Sequence, residues 1–122
     1  MKISAERLAV LQEQVRLKDQ AAFALGVAVA ELELEKARVR GSLEMSDHEK
    51  LYRIGAAHSE FDKYVGTHMR TVAGANSKQA EVGEAALREL GLPHERTFTI
   101  DPKSGEVLEL LNGAYVPVEE KS

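Results

Sequence analysis

Few side chains in this sequence have the types and spacing that chemistry requires. Of the four histidines, His48, His58, His68 and His94, His58 sits in a helical stripe with a partner at ligand spacing. Asp62 follows it by four residues, which puts both on one face of a helix. One imidazole and one carboxylate fall short of the three or four ligands that zinc takes, so no metal is expected. With no cysteine in the chain, disulfides, thiolate nucleophiles and thiolate metal sites are excluded. No G-x-x-x-x-G-K-[ST], G-x-G-x-x-G, H-E-x-x-H or G-x-S-x-G motif occurs. Glu31, Glu33, Glu35 and Glu44 are interleaved with Lys36, Arg38 and Arg40. They read as a solvated, ion-paired helix face rather than as an acid–base pair. The expectation is a protein with no catalytic residue, cofactor or small-molecule substrate: not an enzyme.

The remaining notable polar residues, Lys18, Lys36, His58 and His68, sit inside hydrophobic stripes. Leu8, Leu11, Val15, Lys18, Ala22, Leu25, Val29, Leu32, Lys36, Val39 and Leu43 follow one another in steps of three and four, the pattern of a coiled-coil seam. Ser4 suits the N-cap of this first helix. The residues around Gly41 break it, and Ser46 with Glu49 forms a capping box, so a second helix starts near Asp47. Its stripe is Leu51, Ile54, His58, Phe61, Val65, His68, Val72 and Ala75, then Val82 and Ala86. Gly74, Asn76 and Gly83 could bend it, and Gly91-Leu92-Pro93 is a strong stop. Polar seam residues fix register at some cost in stability, and lysine can lay its stem on the seam with its charge in water. Helices of about 4–43 and 47–90 with a short connection must run antiparallel. Folding about the bend sets Val29 near Phe61, Leu25 near Val65 and Ala22 near His68.

Beyond Pro93 the period changes. Thr97 to Ile100 alternates polar and apolar, Asp101 to Gly105 is turn chemistry, and Val107 to Leu111 is a second strand. Asn112-Gly113 offers a tight turn before Ala114-Tyr115-Val116. The fold class is therefore mainly α: a long antiparallel two-helix coiled-coil hairpin (1–93) with a short C-terminal β-hairpin (94–118) and a disordered tail (119–122). An isolated two-stranded hairpin is marginal in water. Phe98 and Ile100 should anchor it to another subunit, to a partner's sheet or to the helices.

From Ala21 to Ala30 the first helix is apolar on every side, whereas a two-helix hairpin buries one face of each arm. Phe23, Val27 and Leu34 are left over as protein-interface positions, since a helix apolar all round is normally buried all round. A homo-oligomer or docking onto other structural proteins is expected.

Bulk properties agree. The chain has 122 residues, 30% charged and 43% hydrophobic but only 5% aromatic, with no tryptophan. That composition suits packed helices better than a globule filled by large rings. A net charge of −4 argues against nucleic acid, whose phosphates are met by an excess of lysine and arginine. The longest apolar stretch is about half of a membrane span, so an intracellular, soluble protein is expected.

The run Gly26-Val-Ala-Val-Ala-Glu31-Leu32-Glu33-Leu-Glu35-Lys36-Ala37, with Phe98-Thr99-Ile100-Asp101 and Ser104-Gly105-Glu106-Val107, resembles small helical-hairpin proteins of tailed bacteriophages. Those proteins are similar to prefoldin subunits: two long helices, an E-L-E-x-x-K-like stretch before the bend, and an I-D-x-x-[ST]-G-E strand turn. Beta-type prefoldin subunits insert a β-hairpin between their helices, whereas here the strands follow the second helix, so the prefoldin hexamer is not carried over. The resemblance implies a non-enzymatic phage protein, either a structural or auxiliary part of the particle or a prefoldin-like assembly chaperone, located in the host cytoplasm or the virion.

Overall fold

The computed structural model describes residues 1–93 and 95–119. Two long helices in contact, α1 (Ala5–Arg40) and α2 (Asp47–Glu89), form a hairpin, followed by strands β1 (Phe98–Ile100), β2 (Val107–Leu111) and β3 (Ala114–Pro117). The helix ends follow from their caps. The Arg7 amide donates to Ser4 Oγ at 3.3 Å and the Glu49 amide to Ser46 Oγ at 3.2 Å, satisfying donors that a first helical turn leaves open. α1 stops at Arg40, earlier than the expected residue 43, because Gly41 and Ser42 close the last turn onto the carbonyls of Ala37 and Val39. α2 is continuous through Gly74 and Gly83. Gly91 ends it with a φ of +68°, left-handed backbone that glycine takes without strain.

The chain forms two compact units, Lys18–Ala73 on one hand and Met1–Leu17 with Gly74–Ser122 on the other. In the 18–73 unit the seam of α2 runs as the spacing predicts, through half-buried Ile54, His58, Phe61, Val65, His68 and Val72. Leu51 is an exception, being exposed. Half-buried Lys50 lies beside it and donates from Nζ to the Arg40 carbonyl at 3.1 Å, placing a cation on the open end of α1. Of the eight residues predicted on the first arm's seam in this unit, three are displaced. Lys18, Leu25, Leu32 and Val39 do face inward, but Ala22, Val29 and Leu43 are exposed, and Ala21 and Ala28 are turned in instead. A segment apolar on all sides carries no phase, and α1 indeed has almost no amphipathic bias, unlike α2.

The other unit has a many-sided core. Ile3, Leu11, Val82, Ala86 and Val107 are buried together, with Leu8, Leu87, Leu90, Leu92, Phe98 and Ile100 packed around them. The sheet is an antiparallel meander, β1-β2-β3, with Ile100 opposite Val107 and Leu110 opposite Tyr115. The tail is thus three-stranded rather than a simple β-hairpin. The N-terminal residues also join it, through a Lys2–Glu106 bridge and bonds from the Ile3 amide to Gly105 O and from the Val107 amide to Met1 O. Asn112 and Gly113, at φ of +51° and +82°, form the tight turn that asparagine–glycine favours. At Gly105, φ is +78°, and a Cβ would lie 3.1 Å from Leu8 Cδ2, so both backbone and packing demand glycine.

Candidate functional site

The residues singled out for chemistry do not converge. His58 and His68 lie half-buried on the α2 seam, and His68 stacks edge-on against Tyr64, 4.3 Å between ring centroids. His48 is exposed at the start of α2, and His94 lies outside the described residues. Among the described residues no group of three His, Asp or Glu side chains could hold a metal ion. No described helix is long and apolar enough to cross a membrane.

The charged faces resolve into local pairs. Lys36 keeps its stem on the seam and reaches Glu33 at 3.2 Å. Lys18 is half-buried on the same stripe. Arg38 grips Glu35 through Nε at 3.0 Å and Nη2 at 2.5 Å. That hydrogen bonding holds the Glu35 carboxyl below its ordinary range, and Arg16 does the same to Glu13. Arg7 and Glu89 tie the beginning of α1 to the end of α2, again lowering the carboxyl through the guanidinium's hydrogen bond. The tail carries a further pair: Glu109, pointing into the core face of β2, is buried and held by Arg96, which also lies 5.8 Å from the Phe98 ring centroid. A buried carboxylate so matched fixes the 95–97 segment onto β2.

What the structure does concentrate is exposed apolar surface. Phe23 is 76% and Leu34 71% exposed, with Val27 beside them and no charged residue between Asp19 and Glu31. Around the side of α1 from this face runs a groove of about 340 Å³, floored by Ala28, Leu32, Ala57 and Phe61 and rimmed by Glu31, Glu35, Glu60 and Tyr64. Phe61 lines this groove with Ala28 and Leu32, and Val29, expected near it, is exposed. Large exposed apolar side chains of this kind on a small protein mark contact surfaces. Around the bend Leu43, Leu51 and Tyr52 are strongly exposed too, and of these Leu51 and Tyr52 were not read as surface from the sequence. Leu51 and Tyr52 are adjacent, so one of them had to face away from the seam, which was a readable signal.

In the sheet-bearing unit, Phe98 and Ile100 are half-buried against the chain's own core. Of the three anchors open to them, the structure uses the helices. The outer face of the sheet shows Leu110 and its cross-strand neighbour Tyr115 to solvent. The chain matches no family model, no curated protein and no solved structure. The class that fold and surface define is a helical hairpin with exposed apolar faces suited to contacts with other proteins.

Proposed function

We propose that this chain is a non-enzymatic, oligomeric coiled-coil protein, a structural or auxiliary component of a bacteriophage particle that acts through protein–protein contacts. The observation that carries the reading is the solvent-facing stripe of Phe23, Val27 and Leu34 on a stretch of α1 without charges. Leaving such side chains in water forgoes roughly 1.5–3 kcal/mol each relative to burial, a strong drive toward association. The assignment to a phage particle rests on the resemblance of the two-helix hairpin and its I-D-x-x-[ST]-G-E turn to small phage proteins. Sedimentation equilibrium at tens of micromolar should give a mass above that of one chain, and particles purified from the source should hold the protein in stoichiometric amount. A clean monomer together with absence from the particles defeats the proposal.

One observation favours a second reading, a prefoldin-like holdase that helps other proteins assemble. Leu43, Leu51 and Tyr52 present apolar side chains beside the bend, where a client-gripping hairpin needs them. Suppression of the aggregation of heat-denatured citrate synthase, lost on replacing all three by serine, would decide for this reading.

A further inference from the structure

The exposed stripe of α1 has a symmetry that selects its occupant. At 3.6 residues per turn, Asp19, Phe23, Val27, Ala30, Leu34 and Arg38 share roughly 100° of the helix circumference. All six are exposed, and the inward positions Ala21, Leu32 and Val39 lie on the other side of the helix. The six are also arranged evenly about the midpoint between Ala28 and Val29. Val27 and Ala30 are equally far from it, as are Phe23 and Leu34, and Asp19 and Arg38. We propose that this face pairs with the same face of a second copy, antiparallel about a twofold axis at that midpoint; this rests on the oligomeric reading above and names its partner.

The charges choose both the copy and the direction. Antiparallel pairing sets Phe23 level with Leu34 of the second copy and Asp19 level with Arg38. The bonds from Arg38 to Glu35 use Nε and Nη2, and a guanidinium has five N–H donors, so Nη1 can turn to the aspartate. Glu31 and Glu33 come level with Gly26 and Ala24, which carry no charge. Parallel pairing instead sets Asp19 beside Asp19, Glu31 beside Glu31 and Glu33 beside Glu33, a like-charge arrangement that suppresses association. The small residues Gly26 and Ala30 allow the two helices to approach closely. The interface is isologous and closes on itself at two copies.

Because the chain has no cysteine, disulfide trapping reads the orientation directly. Phe23→Cys and Leu34→Cys are prepared separately, checked for native helix content by circular dichroism, and oxidised alone and as an equimolar mixture. Antiparallel pairing gives a cross-linked dimer in the mixture and none from either variant alone. Identical cysteines would then lie about 16 Å apart along the helix axis, too far for a disulfide. Cross-linking of each variant with itself means a parallel copy and overturns the inference, as does a chain that sediments as an oligomer but cross-links in neither arrangement. In both cases the oligomeric reading stands. A monomer of the unmodified chain in the ultracentrifuge removes the oligomeric reading and the inference together.

Discussion

The two units of this chain are made from the same two helices, yet they bury their residues differently. Where the helix ends meet the sheet, Ile3, Leu11, Val82, Ala86 and Val107 pack from several directions into one core. Between residues 18 and 73 the only fully buried apolar residues are Ala21 and Val39. A pair of helices has one mutual seam, and every apolar side chain off that seam stays in solvent. Adding even a small sheet gives a third surface, and that is enough to enclose side chains completely. The difference teaches where stability resides: the sheet-bearing unit encloses a core even with Leu110 and Tyr115 exposed on its outer face, and the helical unit leaves Phe23, Val27 and Leu34 in solvent with almost nothing enclosed.

The sharpest way to break this comparison is Val27→Glu. It should abolish self-association in sedimentation while leaving helix content nearly intact, because Val27 takes no part in either unit's buried set. Persistence of the oligomer would show that α1's outer face is not the contact. Next in size is a matched pair of truncations. Val107 and Val39 are both 0% exposed, so Val107→Ala and Val39→Ala remove the same atoms from each region. We expect about 2 kcal/mol for Val107→Ala and about 1 kcal/mol for Val39→Ala in urea unfolding, since a two-helix seam can collapse around the two lost methyls more readily than an enclosed core. Equal losses would remove the distinction between the units. Gly105→Ala should cost about 1 kcal/mol, combining positive-φ strain with the close approach to Leu8. An unchanged urea midpoint would mean that the turn is not packed against α1.

The smallest effect is electrostatic. The Glu89 carboxyl is held below its ordinary value by the hydrogen bond from Arg7, and Glu35 by that from Arg38. A lowered folded-state pKa contributes stability that is complete above the unfolded carboxyl pKa and is lost as pH falls through the folded value. Both contributions should therefore fade only below about pH 4.5, the ordinary value. Arg7–Glu89 joins two helices, whereas Glu35–Arg38 spans one turn of a single helix. Glu89→Gln should thus flatten the acid limb of the urea midpoint measured from pH 6 to 3.5 more than Glu35→Gln does. Identical acid limbs would show that the bridge between helices adds nothing beyond a local pair.

Much of the fold was legible in the sequence, and the residues show why. Ser4, Ser46 and Gly91 act through local hydrogen bonds and backbone preferences, so helix boundaries could be read directly. Asn112-Gly113 marked its turn in the same way. α2 mixes apolar with polar residues, and that contrast gave its seam the correct phase. α1 between Ala21 and Ala30 lacks the contrast, so Ala22 and Val29 were expected inside when Ala21 and Ala28 are. Of the candidate surface, Phe23, Val27 and Leu34 were readable as a surplus that one seam could not absorb.

By itself, then, the sequence determined two capped helices, the bend between them, the strand turns and an excess of apolar surface, because each depends on neighbours along the chain. Only the tertiary structure decided which side of α1 faces α2, that Met1–Ile3 joins the sheet at Gly105–Val107, and that buried Glu109 takes Arg96 as its partner. It also decided that Phe98 and Ile100 close onto the chain's own core. Those outcomes depend on which distant surfaces compete for the same side chains, and α1, with apolar residues on every side, could not settle that competition alone.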